Sequence, residues 1–101
     1  MTPMPKKSHK ATKAEWDKLR EQCFKRDGYS CQNCPRFFGE YGKAKLHPHH
    51  IWPKGRLVLD VLDNLLTLCH DCHRHVHDNA KGYPSVKGLI EKYWDRIGGY
   101  L

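Results

Sequence analysis

Apolar positions along the chain recur at two periods, one helical and one strand-like. After Thr12, with Glu15 three residues on in the pattern of a capping box, Trp16, Leu19, Cys23 and Phe24 return at helical spacing. This predicts a first helix over Lys13–Asp27, ended by Gly28, with Cys23 as a packed thiol on its apolar face. Residues 28–43 are rich in turn formers, and 44–51 has the length and flanks of a short strand whose pairing Pro48 restricts. Residues 52–63 read as a loop whose valines and leucines cover a small core. Asn64–Leu68 forms a second apolar run, and the Cys69–Cys72 turn passes into a helix through His73, Arg74, Val76 and His77. Beyond Pro84, Val86, Leu89, Ile90, Tyr93, Trp94 and Ile97 predict one closing helix to about Gly98, its stripe belonging to the core.

There is no internal repeat and no sign of a second domain, so 12–101 is expected to be a single domain. Residues 1–11 mix Lys6, Lys7, His9 and Lys10 with Pro, Ser and Thr and read as a loose basic arm. Apolar residues make up only 39% of the chain, so a core this small calls for a further staple. No apolar run suits a bilayer or a secretory signal, and the expectation is a soluble cytoplasmic protein without a membrane partner. Eighteen Lys and Arg against eleven Asp and Glu give +7, a balance suited to phosphate backbones though not peculiar to proteins that bind them.

Four of the five cysteines form two Cys-x-x-Cys pairs, Cys31 with Cys34 and Cys69 with Cys72. Each spacing lets one turn aim two sulfurs at a common point, and four soft thiolates close a tetrahedral shell around a structural zinc ion. Two disulfides are the competing reading, disfavoured in a reducing compartment. Eight histidines are the other unusual feature. His49 and His50 adjoin on the first predicted strand, so one ring can bind metal while the other faces substrate. His73 and His77 lie four apart on a predicted helix, where both imidazoles reach one ion.

The stretches HPHHIWP and DNLLTLCHDCHRHVH together resemble the HNH endonucleases, over Cys31 to His77 and most closely the short phage and prophage members. The resemblance implies an α+β fold, the small ββα-metal (His-Me finger, treble-clef-like) unit, here with flanking N- and C-terminal helices. It implies that His49 is the first ligand of a catalytic divalent metal, His50 the general base, His73 the ligand from the helix and His77 a further ligand found in some members. Asn64 matches the middle letter of the motif, which fixes the loop and the orientation of the base. His47, His70 and His75 match no invariant role and are expected at the periphery. Products with 5′-phosphate and 3′-hydroxyl ends follow from the same resemblance, as does a packaging terminase as a partner.

Neutral imidazole, with an ordinary pKa near 6.5, can take a proton from water at physiological pH if a partner holds the ring, and Asn64 is the expected partner. Imidazole ligands suit Zn2+, Ni2+ or Mn2+, whereas Mg2+ prefers oxygen, so the four remain open as the catalytic ion. Lys54, Arg56 and Arg74 are candidate contacts to the DNA backbone, with little sequence preference expected. The rival from another class is a non-catalytic, zinc-stabilised DNA-binding module, which explains the charge and the cysteines but not the histidines.

Overall fold

The computed structural model describes residues 8–55 and 58–101. Helix α1 (Lys13–Arg26) starts on the expected capping box: the Thr12 hydroxyl accepts from the Glu15 amide and the Glu15 carboxylate from the Thr12 amide. It ends one residue early, on Asp27, with Gly28 at φ +65° turning the chain away. The Asp27 carboxylate accepts from the Thr67 amide (3.0 Å) and from Arg26, which ties this helix end to the middle of a strand. Cys23 is buried against the Thr67 hydroxyl, and burial pushes its thiol up to about 11, as a packed thiol requires.

Two antiparallel strands, β1 (Leu46–His50) and β2 (Leu65–Cys69), pair from Leu46 opposite Cys69 to His50 opposite Leu65. The first is shorter than expected because Ala44 and Lys45 belong to a 3-10 turn, Glu40–Lys45. Every residue of β2 is buried, and Asn64 precedes it in a second 3-10 turn, Leu62–Asn64. No separate turn follows β2: helix α2 (His70–His77) begins at once, so Cys72 sits in its first turn. The closing helix is broken at Tyr93 into α3 (Val86–Lys92) and α4 (Trp94–Ile97), followed by a 3-10 turn at Gly98–Tyr100. Aromatic side chains and two consecutive glycines support a long helix poorly, yet the apolar stripe survives, with Leu89 and Ile97 both buried.

Phe24, Leu46, Ile51, Leu66, Leu68, Val76, Leu89 and Ile97 make one core, bordered by Cys31, Cys69 and Cys72. The loose-arm expectation fails over 8–11. His9 donates its amide to Val58, the Asp60 amide donates to His9, and the Ala11 amide donates to the Asp60 carboxylate, so this stretch lies beside 58–60 as a parallel bridge. Hydropathy missed it because the attachment is made by hydrogen bonds, of backbone groups together with the Ser8 hydroxyl and the Asp60 carboxylate, and not by apolar packing. Residues 1–7 of the expected arm, and Arg56, lie outside the described residues.

Candidate functional site

The turn after α1 and the β2–α2 junction bring Cys31, Cys34, Cys69 and Cys72 together, their sulfurs all within 4.8 Å of one another. None is in a disulfide. Amides of Asn33 and Cys34 donate to Cys31 Sγ at 3.4 and 3.5 Å, and the Asn33 side chain donates to Cys72 Sγ at 3.4 Å, contacts that favour thiolate. Burial, with Cys69 and Cys31 close by, nevertheless pushes Cys72 up to about 12. Four sulfurs crowded in this way are stable as thiolates only with a cation among them, and the arrangement fits a closed, structural metal site.

The histidines form a second, more exposed cluster. His49 on β1 and His73 and His77 on α2 present ring nitrogens within 4.8 Å of one another. His73 Nε2 and His77 Nε2 are 3.1 Å apart, close to the ~3.3 Å between two ligand nitrogens on one tetrahedral ion. His49 is only 2% exposed, and neither of its ring nitrogens has a hydrogen-bond partner in the described structure. A buried imidazole with two unmatched nitrogens is costly unless something binds it. Burial, reinforced by the neighbouring rings, pushes His49 down to about 3 and His73 to about 4, so these two rings are neutral and ready for a cation.

Strand alternation turns His50 away from this cluster, as expected. Its Nε2 lies 2.7 Å from Asp60 Oδ1, and both side chains are largely buried, 13% and 6% exposed. An ionised carboxylate can only accept, so Nε2 carries the proton and Nδ1 keeps a free lone pair. Burial lowers the His50 pKa in spite of the opposing pull of Asp60. Asp60 was not foreseen, since nothing periodic or motif-like distinguishes it from Asp63 within LVLDVLD.

Asn64 is fully buried and its side chain makes no hydrogen bond to His50. Its Oδ1 accepts from the Trp52 amide at 2.7 Å, and its Nδ2 donates to the carbonyls of Trp52 and Leu59, closing the 52–63 loop on itself. The direct hold on His50 expected of Asn64 therefore belongs to Asp60, and Asn64 shapes the loop that delivers it. A cleft of about 370 Å³ between α1 and β1 is lined by Trp16, Arg20, His47, Pro48, His50, Lys54 and His73. Lys54 is thus at the site, whereas Arg74 is exposed on α2 and does not line the cleft. His47 is less peripheral than expected: it stacks on His73 at 5.0 Å and its Nε2 is 3.2 Å from His70 Nδ1. His75 points elsewhere, stacked on Tyr83 and bonded to the Asp71 carbonyl.

Residues 31–79 match the sequence family described as HNH endonuclease. They form an HNH endonuclease domain. The HNH domain thus contains both the cysteine and the histidine cluster, His50 and Asn64, while α1, with Trp16 and Arg20, lies outside the matched segment. The chain is also 38% identical over 70 residues to the type IV methyl-directed restriction enzyme EcoKMcrA of Escherichia coli strain K12, covering 66% of this chain. It spans 24% of that protein's length. No solved structure matches it significantly. No helix among the described residues is long and apolar enough to cross a membrane.

Proposed function

We propose that this chain is a metal-dependent endonuclease that hydrolyses DNA phosphodiester bonds, with His50 as general base. The observation that carries the reading is the buried His49 ring, unmatched at both nitrogens, meeting His73 and His77 beside an imidazole whose tautomer Asp60 selects. The HNH family and the restriction-enzyme relative support a nuclease acting on DNA.

His49, His73 and His77 would hold a divalent ion, Zn2+, Ni2+, Mn2+ or Mg2+, and leave it positions for non-protein ligands. When bound, that ion supplies charge compensation for the phosphoryl oxygens and the leaving group. His50 takes a proton from water on Nδ1, while Asp60 keeps the proton on Nε2 and stabilises the imidazolium that results. Lys54 and Arg20, at the cleft, neutralise the DNA backbone; this gives affinity without sequence preference. Cys31, Cys34, Cys69 and Cys72 would hold a structural zinc ion, joining the turn after α1 to the start of α2. On the resemblance to short phage members alone, the setting is genome-end processing beside a packaging terminase in the host cytoplasm, to be checked by co-purification with the terminase large subunit.

The decisive assay is nicking of supercoiled plasmid before and after chelation, with Mn2+ or Mg2+ added back, for the parent chain and for His50→Ala. Restoration by metal in the parent and none in the variant is the expected result. Cleavage at the parental rate by His50→Ala would remove the assigned base, and metal-dependent DNA binding without cleavage would favour a non-catalytic module.

A further inference from the structure

Trp16 opens the apolar pattern of α1, yet it takes no part in the core cluster, whose members from that helix are limited to Phe24. Its aromatic neighbour is His50. The indole and imidazole are parallel within 1°, with centroids 5.3 Å apart, an offset stack. Lys54 Nζ lies 5.6 Å from the same indole, and all three residues line the cleft.

An imidazole pinned only at Nε2 by Asp60 is fixed at one atom within its plane and can still rock about the line from Cβ to that nitrogen. A ring laid against its face opposes that motion. The two contacts are therefore orthogonal, one selecting the tautomer and one holding the plane in which the Nδ1 lone pair points. Both also depend on the chain before the HNH match: Trp16 belongs to α1, and the other oxygen of Asp60 accepts from the Ala11 amide at 3.0 Å.

We infer that Trp16 is a positioning residue for His50, stacked on its face so that the ring plane, and with it the direction of the Nδ1 lone pair, stays fixed. The inference rests on the proposed role of His50 as base. It makes the N-terminal helix part of the catalytic apparatus and not merely a cover for the core.

The test compares Trp16→Phe, Trp16→Leu and Trp16→Met with the parent chain carrying its metals, in single-turnover DNA cleavage and in proton NMR of the His50 ring, identified by its loss in His50→Gln. Trp16→Phe should keep kcat within a few-fold and keep the upfield ring-current displacement of the His50 protons. Trp16→Leu and Trp16→Met should lose about tenfold or more in kcat at unchanged KM, the usual scale for removing a group that orients an active-site histidine, and should lose the displacement. Thermal midpoints should move little, because Trp16 lies outside the core cluster. An unchanged kcat and ring shift in both aliphatic variants would overturn the inference, as would a rise in KM alone, which would make the indole a DNA-stacking platform. If instead His50→Gln cuts normally, the assignment of the base fails, and the NMR comparison still decides whether Trp16 orders the ring.

Discussion

His50 Nε2 and Asp60 Oδ1 are 2.7 Å apart, joined across a loop that Asn64 closes from inside. In Asp60→Asn the amide oxygen can still accept but carries no charge, and a flipped amide would donate to Nε2 and move the proton to Nδ1. We expect a 10–100-fold loss in kcat with metal content intact, measured by single-turnover cleavage and elemental analysis. Full activity in that variant would leave the base held by something else.

Removing one imidazole of the open cluster should act on metal rather than on fold. His73→Ala should weaken binding of the second metal equivalent by at least 10-fold in a calorimetric titration, leaving the equivalent held by the cysteines untouched. His77→Ala should have a similar but smaller effect, since His77 is the more exposed of the two. Equal affinity in His73→Ala and the parent would dissociate α2 from the ion.

The cysteine cluster adjoins the core, so its loss should be felt globally. Cys69→Ser is expected to lose tightly bound zinc and cooperative thermal unfolding together, because much of the binding free energy at such a site is folding free energy. A folded, zinc-free Cys69→Ser protein would contradict a structural role.

Acid should destabilise the histidine-site apo form through the same rings that bind the ion. The folded values, down to about 3 for His49 and about 4 for His73, lie below the ~6.5 of an unfolded histidine, so the unfolded chain binds more protons between those limits. Stability is then greatest above pH ~6.5 and falls as pH drops toward the folded values. Thermal midpoints of protein carrying only the cysteine-bound ion should decline over this range, and less steeply in His73→Ala. A midpoint that rose on acidification would reverse the assigned sign.

Asp27→Ala should cost about 1–3 kcal/mol in denaturant unfolding, because it strands the Thr67 amide within a fully buried strand. A change below the error of the measurement would mean that the amide finds another partner.

Much of this was legible along the chain, for physical reasons that are local. The Thr12–Glu15 capping box, the two Cys-x-x-Cys pairs and the four-residue step from His73 to His77 each depend on backbone geometry within a few residues, so spacing alone announces them. The alternation that sends His49 and His50 to different neighbours is likewise a property of any strand. Three things depended on the assembled fold. Asp60 reaches His50 only because Asn64 folds the intervening loop back; Trp16, apolar and in helical register, stacks on His50 instead of entering the core; and Ser8–Ala11 lies against 58–60 through hydrogen bonds that no apolar period announces. Local spacing prescribes which side chains of one segment can share an ion. Which group holds a ring from outside its own element is decided by packing between distant segments, whose register no short-range pattern encodes.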